Sequence, residues 1–199
     1  MVGDGQRIGV FGGTFDPVHI GHLAAAVDVR HALGLHRVLL VVANVPWQKV
    51  GHQPISPAED RYAVVAAAVQ GIHGLEASRL EIDRGGPSYT ADTLAELAHH
   101  HPGAELFLLV GSDVAAELPT WERMEEVRDR ATLAMVARPG VAVVPPPPPW
   151  RAEIVDTPPI GVSSTDLRAR VAAGKPIDVL VPAAAVGEIR RRGLYAGPG

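Results

Sequence analysis

The stretch RIGVFGGTFDPVHIGHL, from Arg7 to Leu23, decides how the rest of the chain is read. Ile8, Val10 and Phe11 form a short apolar run with β preference. Gly12-Gly13 then lets the backbone turn sharply and come close to a ligand with no Cβ in the way, offering bare N–H groups to an anion. Asp16-Pro17 reads as a helix start, with Asp capping free N–H groups and Pro at the first helical position, so that the apolar segment from Ile20 to Leu33 continues as the helix. His19 and His22 are three apart and share a face of that helix. They lie at the positive end of its dipole, where phosphates bind. Two imidazoles there can donate to phosphate oxygens as charge builds on a leaving group. Each piece alone has a plainer meaning: the Gly pair is a turn, and the His pair a solvated helix start or a weak metal site. Their order selects a nucleotide-phosphate site.

Working outward, Arg37 to Val42 (RVLLVV) is a continuous apolar run of the kind a parallel strand covered on both faces shows, so the chain opens as β-α-β. Asn44 to Pro57 is a long Pro-, Gly- and polar-rich loop at that strand's C-terminal end, the edge where open α/β sheets bind ligands. Lys49 in it can meet a phosphate or be merely solvated; Trp47 can stack on a ring or anchor the loop. Pro57 begins the next helix, with Glu59 and Asp60 in its first turn and a surface salt bridge as the plain role of Arg61. Leu75 to Asp83 alternates in places and predicts one or two strands. After Gly85-Gly86-Pro87 a helix is expected from Ser88 or Thr90, with Thr90 as the N-cap.

His99-His100-His101 points in different directions on a helix end, so cations complementing that end explain it better than a metal site does. Glu105 to Val110 is another buried strand, and Gly111-Ser112-Asp113 follows it in the position the first Gly pair holds after strand one. Trp121 is either core or a stacking platform. Ala131 to Val136 is a fifth strand, ending at Arg138, which can clamp a phosphate. Pro145 to Pro149 predicts a stiff polyproline spacer. After a short strand at Glu153 to Val155, Ser163 with Asp166 fits a capping box opening a helix, and the same hydroxyls and N–H groups suit a triphosphate. A last helix runs from Pro182 to about Arg192. Strands alternating with helices predict an α/β fold, a Rossmann-like doubly wound parallel sheet with helices on both faces.

At 199 residues one domain is expected, with the C-terminal helical part from about residue 163 included. Hydrophobic content of 47% against 20% charged residues argues against disorder. A net charge of −4 gives no general attraction to nucleic acid or membranes, so an anion site must be built locally. The absence of cysteine excludes disulfides, thiolate metal sites and a Cys nucleophile. Nothing resembles a signal peptide and no apolar run reaches membrane-spanning length, so a cytoplasmic location is expected. No GxGxxG follows the first strand, which speaks against a nicotinamide-dependent dehydrogenase.

The HIGH sequence at His19 to His22 resembles the (H/T)xGH signature of the nucleotidyltransferase superfamily. GGTFDPVHIGHL, SYTADTL from Ser88, GSDVAAELPTW from Gly111, ARPG from Ala137 and VSSTDLR from Val162 together resemble bacterial nicotinate-mononucleotide adenylyltransferases, in the family's order over most of the chain. The resemblance implies transfer of AMP from ATP to nicotinic acid mononucleotide, giving nicotinic acid adenine dinucleotide and pyrophosphate, with Mg²⁺ bound mainly through the ATP phosphates and no metal ligands on the protein. It implies that Gly12, Gly13, Thr14 and Phe15 line the nucleotide cleft and that His19 and His22 bind ATP phosphates. Ser163, Ser164, Thr165 and Arg168 would hold the triphosphate, while Gly111 and Asp113 would contact the ribose. Trp121 would stack on the pyridine, the backbone near Tyr89 and Thr90 would receive its carboxylate, and Lys49 and Arg138 would serve the mononucleotide.

Lys49 stands in Pro46-Trp47-Gln48-Lys49, where that family usually has a Pro-Pro-His-Lys-like sequence. The implied catalytic set is His19, His22, Lys49 and Arg168. The implied partners are small molecules, with no nucleic acid or membrane, and a homo-oligomer remains open. Three rival readings stand beside this one. A pantetheine-phosphate adenylyltransferase does not explain Ser88-Tyr89-Thr90, and a tRNA synthetase would need a KMSKS sequence. A nucleotide-binding sensor would bind ATP without consuming it.

Overall fold

The computed structural model describes residues 5–46, 54–111, 120–136 and 144–197. Its centre is a six-stranded sheet of β1 (Arg7–Gly13), β2 (Arg37–Val42), β3 (Leu75–Ser78), β4 (Glu105–Gly111), β5 (Ala131–Val136) and β6 (Ala152–Val155). The strand order is β3-β2-β1-β4-β5-β6 and every pair is parallel. The helices are α1 (Ile20–Ala32), α2 (Ala58–Val69), α3 (Leu80–Arg84), α4 (Thr90–His100), α5 (Met124–Arg130), α6 (Ser164–Ala172) and α7 (Ala183–Arg191).

Alternation along the strands builds two cores, one on each face. Val38, Leu40 and Val42 of β2, with Phe107 and Leu109 of β4, pack against α1, α2, α6 and α7. Leu39, Val41, Leu106, Leu108 and Val110 face the other way, toward Ala91, Leu94 and Leu97 of α4 and Val127 of α5. The doubly wound sheet expected from the alternating runs is therefore present, and the strand boundaries at β2 and β5 match the apolar runs. Gly9, in the middle strand, is demanded by packing: a Cβ there would lie 2.9 Å from Val38, 3.0 Å from Leu35 and 3.2 Å from Leu109.

Three local expectations fail. Leu75 to Asp83 does not continue as strand; β3 pairs with β2 only as far as Ser78 opposite Val41, and beyond that partner the chain turns into α3. The first helix does not begin at Asp16-Pro17. That peptide bond is cis, α1 starts at Ile20, and His19 is its N-cap. The proline run is not a uniform rod. The Trp150 N–H closes a turn onto the Pro147 carbonyl at 3.3 Å.

Register decides where the sheet opens. β1 pairs with β4 only from Arg7 to Val10, whereas its last residues continue against β2 to Gly13 opposite Val42. β4 meanwhile continues against β5 to Gly111 opposite Val136. The two central strands part at their C-terminal ends, at the point where strand order reverses, and the crevice of a doubly wound sheet forms there.

Candidate active site

A cavity of about 1030 Å³ occupies this opening. Its wall includes Gly12, Gly13, Thr14, Phe15, His19, His22 and Gly111, with Tyr89, Thr90 and Trp121 from the loops beyond, and Ser163, Ser164, Thr165 and Arg168 from the start of α6. Fourteen residues that the sequence reading singled out for the two substrates thus share one cavity, although they come from segments more than 150 positions apart. The Lys49, Asp113 and Arg138 expectations lie outside the described residues.

The floor is made by the turn after β1. Phe15 is buried with φ of 49°, and its ring meets His22 edge-on with 5.1 Å between centroids. Gly13 has no room for a side chain, because a Cβ would fall 2.8 Å from that ring. At Gly12 a Cβ would meet nothing within 4 Å, so it would project into the space a ligand needs. The His19 and His22 rings stack with centroids 3.7 Å apart and planes at 26°. The His19 backbone N–H donates to His22 Nδ1 at 3.3 Å, so in neutral His22 the ring proton sits on Nε2.

Two helix N-termini meet beside this pair. Arg168 Nη1 donates to the Asp16 carbonyl at 2.7 Å, and Ser164 Oγ donates to the Pro17 carbonyl at 2.8 Å, drawing the start of α6 against the start of α1. Ser163 is the N-cap of α6 as the capping box predicts: its Oγ accepts the Asp166 N–H at 3.1 Å and donates to the Asp166 carboxylate at 2.7 Å. The hydroxyls of Ser163 and Ser164 are therefore engaged in shaping the turn, and the first N–H groups of both helices, which have no carbonyl partner within their own helix, lie among the residues that line the cleft.

Asp16 does not cap α1. It is buried, and its carboxylate accepts the Ser56 N–H at 3.1 Å and the Tyr195 hydroxyl at 2.6 Å. Burial and the bond to Asp16 push the Tyr195 phenol well above its ordinary range. Arg61 is not at the surface. It is 1% exposed, donating through Nε to Ser56 O at 2.8 Å, through Nη1 to Thr14 O at 2.8 Å, and through Nη2 to Ala43 O at 2.7 Å and Asn44 O at 3.2 Å. Burial lowers its pKa, opposed by the Asp16, Tyr195 and Glu81 charges. It ties the loops after β1 and β2 together under the cleft.

On the far side, Tyr89 rather than Thr90 holds the N-cap position of α4, and Thr90 is its first residue. Trp121 is half-buried, with one side against the core of the second face and another on the cleft. Sequence reasoning missed Arg61, Glu81 and Tyr195. Only Arg61 carried a local signal, since its place one turn into α2 falls on the stripe that continues through Val64, Val65 and Ala68.

This fold with its cleft at the switch point is that of the α/β nucleotidyltransferases. The cytidylyltransferase-like family model matches residues 10–170, and the chain belongs to that family. Among curated relatives, the Saccharopolyspora erythraea protein named probable nicotinate-nucleotide adenylyltransferase is 45% identical, over 96% of this chain and 91% of its own length. The Thermus thermophilus protein of the same name is 44% identical over 96% of this chain and its full length. Among solved structures, the Plasmodium falciparum nicotinic acid mononucleotide adenylyltransferase complexed with NaAD superposes with a TM-score of 0.78 over 96% of this chain and 97% of that one, at 15% identity. The same enzyme complexed with APC gives 0.74 at 16% identity.

Proposed function

We propose that the chain is a nicotinate-nucleotide adenylyltransferase, transferring AMP from ATP to nicotinic acid mononucleotide in NAD biosynthesis. The observation that carries this reading is the meeting of two helix N-termini and the stacked His19–His22 pair beneath Gly12, within a family whose relatives at this identity bear that name.

The attacking group is the mononucleotide's 5′-phosphate, whose second pKa of about 6 leaves it mostly dianionic at neutral pH, so no general base is required. One of its oxygens forms a bond to the α-phosphorus of ATP as the bond from that phosphorus to the α,β-bridging oxygen breaks. Pyrophosphate leaves with the electron pair, and no covalent enzyme intermediate forms. Charge moves from the attacking phosphate toward the leaving pyrophosphate. His19, His22 and Arg168 with the α1 and α6 N-termini are assigned to stabilise it there, and Lys49 joins them from the loop after β2.

Gly12, Gly13, Thr14 and Phe15 are assigned to the nucleotide, and Gly111 and Asp113 to its ribose. Ser163, Ser164 and Thr165 are assigned to the triphosphate. Trp121, the Tyr89–Thr90 backbone and Arg138 are assigned to the mononucleotide. Mg²⁺ fits this scheme as a passenger on ATP. The cleft's imidazoles are poor partners for a hard cation, and among the described residues no three His, Asp or Glu converge on one point, so its ligands would be phosphate oxygens and water. Bound there, it supplies neutralising charge. Among the described residues no helix is long and apolar enough to cross a membrane, and we place the reaction in the cytoplasm.

The test is pyrophosphate release from ATP and Mg²⁺ with nicotinic acid mononucleotide, its amide counterpart and phosphopantetheine offered separately. Release with the acid well above the amide is expected. Release with phosphopantetheine alone would overturn the pyridine assignment, and ATP binding without release from any substrate would favour a sensor.

A further inference from the structure

Behind the segment that carries Tyr89 and Thr90 lies a buried carboxylate that the reaction scheme leaves unused. Glu81, in the first turn of α3, is 6% exposed and borders the cleft beside Ser88 and Thr93. Its Oε1 accepts the Thr93 hydroxyl at 2.5 Å, and the Ser88 hydroxyl stands beside the same carboxylate and acts to lower its pKa. Thr93 Oγ1 in turn accepts from Arg84 Nη2 at 3.1 Å, and Arg84 Nη1 is held by Glu96 at 3.0 Å. Ser88 Oγ accepts the Asn44 N–H at 2.8 Å, while the Ser88 N–H donates to the Val45 carbonyl at 3.0 Å. A hydroxyl has one proton. Thr93 directs its proton at Glu81, and Ser88, whose oxygen is taken up by the Asn44 N–H, has its proton to offer the same carboxylate, so Glu81 joins the chain leaving β2, α3 and the first turn of α4.

We propose that Glu81 is a positioning residue that sets the preference for a pyridine carboxylate over the amide, by locking residues 88–90 to the chain leaving β2. The inference rests on the adenylyltransferase reading. Thr90 opens α4, so its N–H has no carbonyl within its own helix and is suited to an anionic oxygen from the ligand. An amide ligand offers a weaker acceptor and no net charge, so a displaced helix start costs the acid more than the amide. Burial raises the Glu81 pKa against the hydrogen bonds of Ser88 and Thr93 and the charges of Arg84 and Arg61.

The test compares kcat/KM for nicotinic acid mononucleotide and for nicotinamide mononucleotide, with ATP and Mg²⁺, in wild type, Glu81→Gln, Thr93→Val and Thr93→Ser, each checked for folding by circular dichroism. Glu81→Gln keeps the shape but replaces an acceptor with an NH₂ donor. A hydroxyl that meets the NH₂ has to reverse, and for Thr93 the Tyr89 carbonyl, 3.3 Å from its Oγ1, is the alternative acceptor. The acid-to-amide ratio should fall about tenfold, the effect expected of one hydrogen bond to a charged group, chiefly through KM for the acid and with KM for ATP unchanged. Thr93→Val should move the ratio the same way, and Thr93→Ser should recover it.

A variant that is only less well folded lowers turnover of both substrates equally and leaves the ratio alone. An unchanged ratio in folded Glu81→Gln and Thr93→Val would overturn the inference while leaving the function intact. Should Glu81→Gln fail to fold, Thr93→Val decides by the same criterion. A wild-type protein that uses neither pyridine nucleotide would overturn the function and this inference with it.

Discussion

Gly12 and Gly13 are neighbours that lack a side chain for opposite reasons. A Cβ on Gly13 would press into the Phe15 ring, which His22 and Phe11 hold in place, so Gly13→Ala should lower unfolding free energy by about 1–3 kcal/mol in a urea titration. A Cβ on Gly12 touches no protein atom, so Gly12→Ala should keep the wild-type midpoint and lose ATP affinity in a binding titration. His22→Ala is expected to lose turnover far more than folding stability: kcat falls by about 10²-fold or more, the scale of losing one preorganised donor at developing charge, against a smaller loss from its ring contact with Phe15. Arg61 makes the reverse prediction. Arg61→Met leaves the Thr14, Ala43, Asn44 and Ser56 carbonyls without their donor, and at about 1–3 kcal/mol for each buried orphan it should destabilise severely in the same urea titration. The glycine pair and the histidines were legible in the sequence because their spacing is local. Arg61 was read as a surface residue because its four carbonyl partners are assembled only when the loops after β1 and β2 meet over α2.

At the scale of elements, the proposed anion site is the product of α6 being drawn onto the start of α1. Arg168 and Ser164 reach carbonyls 152 and 147 positions earlier, and Tyr195 reaches Asp16 across 179. The C-terminal segment thereby braces the turn that holds His19. Tyr195→Phe removes one bond to a buried carboxylate, so the unfolding free energy should fall by about 1–3 kcal/mol and KM for ATP should rise more than KM for the mononucleotide. Equal KM values in the variant and the wild type would show that the brace does not reach the phosphates. The capping box at Ser163 was legible because both partners lie within one turn. The helical state of residues 80–84 was not, since the alternation of LEASRLEID continues past the point where β3 loses its partner strand.

For the whole molecule, the cleft is lined by segments far apart in the chain, so a ligand bridging them should stabilise the fold. At a hundred times its Kd, a non-hydrolysable ATP analogue with Mg²⁺ adds about 2.7 kcal/mol, which in a chain of this size raises Tm by roughly 5–10 °C. Thermal denaturation with and without the analogue measures this. Arg168→Ala should shrink the shift, because that side chain both faces the cleft and holds α6 to α1.

Although the turn expected at Gly12-Gly13 falls just after them, both being paired with β2 at the end of β1, the sequence by itself determined the alternation of apolar strands with helices, the His19–His22 spacing and the cap at Ser163. Each is settled by residues within one strand or one helical turn, where backbone sterics and hydrophobic period act directly. Tertiary structure alone decided that β1 lies at the reversal of strand order and parts from β4 after Val10. It also buried Arg61, Asp16 and Glu81 beside the cleft and brought Tyr195 onto Asp16 in the turn after β1. Those outcomes depend on which strands pair and which loops meet, and burial of the two cores chooses them over the chain as a whole.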